Sequence, residues 1–322
     1  MKEDTVDNQK VVVLNAGKMN YDGLLDFGSL SPDTVVYEDS TADQILNRIE
    51  GAAAVVTKEL PVPAEMIAAF PASVKLICEA GTGYNNIAID AARQKGITVC
   101  NVPAYSSQRV AHTAVMLMLN LSSSMQTQIR MLAKGDRTNF TKYLQVPHVE
   151  LNGKTLGVVG CGNIGRQVIR IAQAMEMKVI CHTRTPRPDE ENLHFVSLET
   201  LLKESDYVSL HCPLSDATRH LINKDTLALM KPTAFLINTS RGALIDEPAL
   251  IRALQENRIA GAGLDVQETE PPAEDNPLYT MENVILTPHM GWKGLETRQR
   301  LVGVVADDIQ SFFKGCPINV VS

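Results

Sequence analysis

"TLGVVGCGNIGRQVIRIAQA", Thr155 to Ala174, is the stretch on which the reading of this chain turns. A β-branched run, Thr155 to Val159, meets Gly160, Gly162 and Gly165 in G-x-G-x-x-G spacing, and a helical pattern follows at once. Each glycine answers a different demand of a phosphate-binding turn. Gly160 permits the tight turn, Gly162 lets backbone N–H groups approach a pyrophosphate, and Gly165 lets helix and strand pack closely. Asn163 and Ile164 open the helix whose N-terminus would face the anion. A second strand pattern, Lys178 to His182, completes a βαβ unit, the context in which this spacing signals a dinucleotide site and not an ordinary glycine-rich turn. Cys161, inside the turn, reads as a small tolerated side chain.

That fingerprint normally continues with an Asp or Glu about 20 residues on, bonded to the ribose 2′-hydroxyl. Here the strand runs into "HTRTPRP", with Thr183 in the acidic position and Arg184 next to it. A guanidinium is a poor partner for a ribose diol and a strong one for a phosphate, which it grips bidentately. The expectation is therefore NADP(H) as the preferred cofactor and NAD(H) as the alternative, with Thr183 and Arg184 at the 2′-phosphate and Arg187 closing over it. A solvated basic loop is the competing reading.

Outward from the fingerprint, the chain repeats short β-branched runs and amphipathic segments. Before it stand "VVVLNA" (Val11 to Ala16), "TVVY" (Thr34 to Tyr37), "AAVV" (Ala53 to Val56), "VKLICEA" (Val74 to Ala80) and "ITVCN" (Ile97 to Asn101). After it come "KVICH", "YVSLHCPL", "AFLINTS", "GAGLDV" and "NVILTPH". Repeated βα units predict parallel sheets and an α/β fold. The apolar stretch from Val110 to Met131 reads as one connecting helix. The last periodic segment sets Leu301, Val304, Val305, Ile309 and Phe312 on one face, with Gly315 as its stop, and reads as a helix returning to the first lobe.

Size and composition agree with two lobes. A chain of 322 residues with 44% hydrophobic content buries a sizeable core. A formal charge of −7 argues against a nucleic-acid surface, which needs concentrated Lys and Arg. The polar N-terminus "MKEDTVDNQK" lacks an apolar signal region, and no uninterrupted apolar run reaches about 18 residues, so a cytoplasmic protein away from membranes is expected. The six cysteines show neither metal-ligand spacing nor a disulfide framework and read as reduced, buried thiols, with no metal site.

Three motifs end predicted strands: "INTSRG" with Arg241, "GLDVQETEP" with Asp265 and Glu270, and "ILTPHMGW" with His289. Carboxyl ends of parallel strands are where α/β sheets bind ligands. Read singly, each residue has a structural explanation: an ion pair, a solvated loop carboxylate, a satisfied core histidine. Together, and behind "AGTGYNNI" and "NVPAY" in the first lobe, they make the chain resemble the D-isomer-specific 2-hydroxyacid dehydrogenase family over essentially its whole length. "GTGYN", "TPHMGW" and "GCPINVV" look most like its glycerate dehydrogenase and glyoxylate/hydroxypyruvate reductase branch.

The resemblance implies a flavodoxin-like substrate domain, residues 1–102 with 292–322, and a Rossmann nucleotide-binding domain, residues 103–291. It implies NAD(P)-dependent reduction of a small 2-oxo acid, in which Arg241 binds the substrate carboxylate, His289 exchanges a proton with the C2 oxygen, and Glu270 holds the histidine and favours its imidazolium form. General acid–base chemistry near neutral pH suits histidine. Backbone N–H groups around Thr82 and Gly83 resemble the family's second carboxylate clamp, so the substrate is expected between the lobes. Cys212 and Pro213 would lie against the nucleotide, and Thr239, Asp265 and Gly291 near the nicotinamide. A strand-end hydrogen-bonding role is the lesser alternative for Asp265, and Trp292 reads equally as a pocket wall or a packing residue. The family is usually dimeric, so a homodimer is implied. The competing class is a nucleotide-sensing, non-catalytic module of the same fold, like the corepressors that share it. Against that reading, the chain shows no long flexible tails.

Overall fold

The computed structural model describes residues 9–322, so the polar segment 1–8, which carries most of the "MKEDTVDNQK" reading, lies outside the described residues. It divides into two compact units: the residues up to Ser106 with Lys293–Ser322, and Ser107–Trp292.

The first unit is built on β1 (Val11–Val13), β2 (Thr34–Val36), β3 (Ala54–Thr57), β4 (Leu76–Glu79) and β5 (Thr98–Cys100), in the order β2-β1-β3-β4-β5. All the pairings are parallel, with Val12 set against Val35 on one side and Val55 on the other. β1, β3 and β4 are buried along their whole length, which is why they read as continuous β-branched runs without alternation. Helices α1 (Ala42–Arg48), α2 (Ala64–Ala69) and α3 (Ile89–Lys95) form the crossovers. The C-terminal helix, Leu295–Phe313, belongs to this unit and buries Leu301, Val302, Val305 and Ile309. Beyond it the tail covers the edge strand: Val321 N–H donates to the Val99 carbonyl at 2.8 Å, and Cys100 bridges Val320 antiparallel. Covering an edge removes a row of unpaired backbone groups.

The second unit opens on helices and departs there from the sequence expectation. In place of one helix from Val110 to Met131 stand α4 (Ser107–Ser122) and α5 (Met125–Ala133), followed by the short α6 (Thr138–Thr141). The break falls in the serine run. Ser122 and Ser123 hydroxyls both donate to the Leu119 carbonyl, at 2.9 and 2.6 Å, and Ser124 takes the left-handed conformation at φ 48°. Serine hydroxyls compete for helical carbonyls, and the apolar periodicity running through the break concealed this.

The sheet of this unit contains β6 (Thr155–Val159), β7 (Lys178–His182), β8 (His194–Phe195), β9 (Tyr207–Leu210), β10 (Phe235–Asn238), β11 (Gly261–Leu264) and β12 (Val284–Leu286). Its order is β12-β11-β10-β9-β6-β7-β8, all parallel, so the chain reverses direction across the sheet between β6 and β9. Such a switch point opens a crevice at the carboxyl ends of the strands. Between the strands lie α7 (Asn163–Ala174), α8 (Leu198–Glu204), α9 (Lys224–Leu227) and α10 (Glu247–Gln255). The six cysteines are unpaired. Cys78, Cys100, Cys161 and Cys181 are buried, but Cys212 is half-buried and Cys316 exposed, which corrects the expectation of uniformly buried thiols. Among the described residues no helix is long and apolar enough to cross a membrane.

Candidate active site

The glycine turn sits at the switch point, between the ends of β6 and β9. Gly160 adopts φ 104°, and a Cβ there would stand 2.7 Å from the Cys212 nitrogen. A Cβ on Gly165 would meet the Gly160 carbonyl oxygen at 2.1 Å, so helix and strand pack as closely as the spacing implied. At Gly162 a Cβ would meet nothing within 4 Å. The turn is closed on its protein side and open on the other. Gly162 is also the N-cap of α7 and gives no side-chain cap, leaving the first-turn N–H groups of Asn163, Ile164 and Gly165 without intrahelical acceptors. Uncapped donors at a positive helix end, facing open space, suit a phosphate.

The neighbouring strand ends complete this rim. Ser240 Oγ donates to the Cys212 carbonyl at 2.7 Å, tying the loop of Cys212 and Pro213 to the end of β10. Thr239 Oγ1 is buried and has no hydrogen-bond partner among the described residues, an orphan of the kind that a bound ligand satisfies. These residues fit a dinucleotide. His211, just before Cys212, holds Ser209 Oγ through Nε2 at 2.8 Å, and burial pushes the imidazole down to about 4, so it is neutral at physiological pH. Sequence reading passed over it.

Arg241 follows in the same turn. Asn238, fully buried, donates from Nδ2 to the Arg241 carbonyl at 2.8 Å and accepts from Ser240 N–H at 3.0 Å, so it shapes the loop from inside. The Asn in "INTSRG" was the available signal, since Asn side chains mimic backbone in turns. Arg241 is half-buried and donates from Nη1 to the Ser240 carbonyl at 2.8 Å. A Cβ on Gly242 would lie 1.8 Å from the Gln267 carbonyl oxygen. Only glycine lets the arginine turn lie against the loop that carries Glu270.

That loop and the end of β12 bring Glu270 and His289 together. His289 Nδ1 and Glu270 Oε2 are 2.8 Å apart, and Glu270 Oε1 accepts from Gln267 N–H at 3.1 Å. With Nδ1 engaged by the carboxylate, Nε2 is the ring nitrogen that pair leaves over, and a histidine so held can exchange a proton there. His289 itself is held in the left-handed region at φ 48°, which costs a non-glycine residue about 1 kcal/mol or more and needs outside support.

Asp265 supplies the support. Its carboxylate, 1% exposed, accepts from Thr287 Oγ1 at 2.6 Å, Met290 N–H at 2.9 Å and Gly291 N–H at 2.8 Å. Its backbone carbonyl accepts from His289 N–H at 2.9 Å. Of the two roles open for Asp265 in the sequence, the geometry displays the hydrogen-bonding one, while Gly291 serves as a donor to that carboxylate. Trp292 is buried.

Thr183 and Arg184 stand in the exposed loop after β7, where Thr183 Oγ1 donates to the Thr185 carbonyl at 2.8 Å. Thr82 and Gly83 lie in the first unit, after β4. There Thr82 Oγ1 donates to the Val102 carbonyl at 2.9 Å, and Asn101 Nδ2 to the Thr82 carbonyl at 2.7 Å. Beneath that loop Glu79, fully buried, accepts from Glu59 N–H and Thr57 Oγ1 at 2.8 Å each and from Asn86 Nδ2 at 2.9 Å, and burial raises its carboxyl above the ordinary range.

Comparison with known proteins identifies the family. Residues 115–291 match the family described as D-isomer specific 2-hydroxyacid dehydrogenase, NAD binding domain. A hydroxypyruvate reductase of Blautia hydrogenotrophica is 35% identical over 97% of this chain and 99% of its own length. Among solved structures, a glyoxylate reductase from Paecilomyes thermophila superposes with a TM-score of 0.84 at 32% identity, covering 97% of this chain and 98% of that one. An acyclic imino acid reductase in complex with NADPH and D-Arg gives a TM-score of 0.84 at 30% identity over 98% of this chain and 100% of that one. With its fingerprint at a sheet switch point and a His–Glu pair bracketed beside an arginine turn, this chain belongs to the D-isomer-specific 2-hydroxyacid dehydrogenases, oxidoreductases that use a nicotinamide cofactor.

Proposed function

We propose that the chain reduces short 2-oxo acids of the glyoxylate and hydroxypyruvate type to their D-2-hydroxy acids, with NADPH preferred over NADH. The observation that carries the chemistry is the 2.8 Å contact between His289 and Glu270, on a loop packed against the Arg241 turn. The nicotinamide, when bound, supplies the hydride that goes to C2. His289 Nε2 delivers the proton to the C2 oxygen, and Glu270 holds the ring by Nδ1 in the orientation that this requires. The Arg241 guanidinium takes the substrate carboxylate and polarises the adjacent carbonyl. The Thr82 and Gly83 N–H groups are assigned to carboxylate binding on the family resemblance. Relatives named for hydroxypyruvate and glyoxylate support this substrate class, and they favour an enzyme over a nucleotide-sensing module.

Cofactor contacts are assigned to Gly160, Gly162, Asn163, Ile164 and Gly165 at the pyrophosphate, Cys212 and Pro213 along the nucleotide, and Thr239, Asp265 and Gly291 toward the nicotinamide, Asp265 acting through the turn it holds. The NADPH preference rests on Thr183 and Arg184. No hydrogen bond or ion pair engages Arg184 or Arg187 within the described residues, and both are exposed. A homodimer fits the apolar side chains left exposed on and after α4 and α5, among them Leu119, Ile129, Leu132, Phe140 and Tyr143, the last two 76% and 90% exposed. Six unpaired cysteines accord with a reducing, cytoplasmic setting. Steady-state assays of glyoxylate and hydroxypyruvate with each cofactor test the proposal. Turnover at least about tenfold better with NADPH in kcat/KM supports it, and absence of turnover on both oxo acids refutes it.

A further inference from the structure

The loop that carries Arg184 and Arg187 contains acids after all, Asp189 and Glu190, but the structure engages both elsewhere. Asp189 accepts from Phe195 N–H through Oδ1 and bonds His194 Nδ1 through Oδ2, each at 2.8 Å. Glu190 takes both arms of the Arg166 guanidinium, Nη2 on Oε1 at 2.8 Å and Nη1 on Oε2 at 3.0 Å, and its backbone pairs with Leu193. Arg166 is the residue directly after the last glycine of the phosphate turn. The pair therefore links the helix that starts at the pyrophosphate site to the far end of the basic loop. The near end is tied as well: Gly160 N–H donates to the His182 carbonyl at 2.9 Å. Between these ties, His182 to Glu190, lie Arg184 and Arg187, neither in a hydrogen bond or ion pair among the described residues.

Glu190 is held below the ordinary carboxylate range, first by the hydrogen bonds from Arg166 and further by the charge of Arg187. At 42–44% exposure of the two side chains, the pair is too solvated to matter much for global stability. What a bidentate clasp of this kind controls is how much of the time a short loop keeps one shape. A loop already in its bound shape loses less entropy when it grips a ligand.

Resting on the NADPH reading above, we infer that Arg166 and Glu190 form a positioning clasp that holds the basic loop ready for the 2′-phosphate and so sets the choice between NADPH and NADH. Neither residue contacts the phosphate in this scheme. Arg184 does, with Arg187 over it.

The clasp and simple through-space charge predict different signs, and this makes the inference testable. If only charge mattered, removing the negative Glu190 would strengthen binding of a phosphate and removing the positive Arg166 would weaken it. If the clasp matters, Glu190→Gln and Arg166→Gln act in the same direction, and the double variant is no worse than either single one. The measurement is the dissociation constant of NADPH and of NADH for the full chain by titration calorimetry without substrate, at fixed ionic strength, on both single variants, the double variant and Arg184→Ala. Each single variant is expected to raise the NADPH constant about threefold and leave that for NADH unchanged. The pair is exposed, and the Gln173 Nε2 donation to the Asn192 carbonyl at 2.9 Å keeps a second link from α7 to this region, so the substitutions are expected to leave the fold intact. Opposite shifts in the two single variants, or equal losses for both cofactors, overturn the clasp. If Arg184→Ala weakens NADPH alone while the clasp variants change nothing, the clasp falls and the loop reading stands. If Arg184→Ala also leaves NADPH unaffected, both fall.

Discussion

Replacing Asp265 with Asn isolates the device that holds His289, the proposed proton donor. The carboxylate accepts from Thr287 and Met290 on Oδ1 and from Gly291 N–H on Oδ2, and it is 1% exposed. In Asp265→Asn the amide oxygen can keep the first two contacts. The amide nitrogen must then face the Gly291 N–H at 2.8 Å, donor against donor. A hydrogen bond to a charged group is lost, about 1.5–3 kcal/mol, and a buried donor is left unsatisfied, about 1–3 kcal/mol more. The sum is about 2.5–6 kcal/mol, and relief requires the turn of Met290 and Gly291 to move. His289 lies in that turn at φ 48°, a conformation that survives only while its surroundings impose it. Relaxation of His289 should therefore carry Nδ1 away from Glu270. Two measurements check this: denaturant unfolding, where the variant should lose about 2.5–6 kcal/mol, and steady-state kinetics, where kcat should fall about tenfold to a hundredfold as proton transfer loses its geometry. Unfolding stability within about 1 kcal/mol of the parent chain together with unchanged kcat would refute the bracket.

Three further outcomes are expected. His289→Ala should lower kcat by about 10²–10⁴-fold while nucleotide affinity, measured by titration, stays near that of the parent. Arg241→Lys, which keeps the charge and loses the planar fork, should lower kcat/KM for glyoxylate at least about tenfold, with Arg241→Ala worse. Asp308, buried on the C-terminal helix with Oδ1 bonded to Asn319 Nδ2 at 2.7 Å, has its carboxyl pushed from 3.8 to about 6 by burial. The folded state therefore holds that proton more tightly, and the stability this contributes is present below the unfolded value and lost as pH rises through about 6. By pH 7 the difference reaches about 3 kcal/mol at about 1.4 kcal/mol per pKa unit, so Asp308→Asn should gain stability over the parent as pH rises from 4 to 7 and not below. Parallel unfolding curves at all pH values would contradict it.

Much of this protein is legible in its sequence. Strands buried on both faces must be apolar along their length, so "VVVLNA", "KVICH" and "AFLINTS" announced parallel sheets. The glycine spacing of the phosphate turn is a backbone constraint that no other residue satisfies, and the structure repeats it in the blocked Cβ positions of Gly160 and Gly165. Arg241, Glu270 and His289 were each visible at the end of a strand because motifs are local. What joins them is not local. Glu270 meets His289 across 19 positions, Asp265 reaches Gly291 across 26, and Gly242 admits the Gln267 carbonyl from another loop. Periodicity also misjudged the stretch from Val110 to Met131, since apolar spacing runs on through Ser122 to Ser124 while hydroxyls end the helix there. No motif marks Glu190, because its partner Arg166 stands 24 residues earlier in the chain. Propensity and spacing act over a few residues, so the chain alone determines which elements form and which residues stand at their ends. Which of those ends meet, and through which hydrogen bonds, depends on how the sheet orders its strands, and only the tertiary structure decides that.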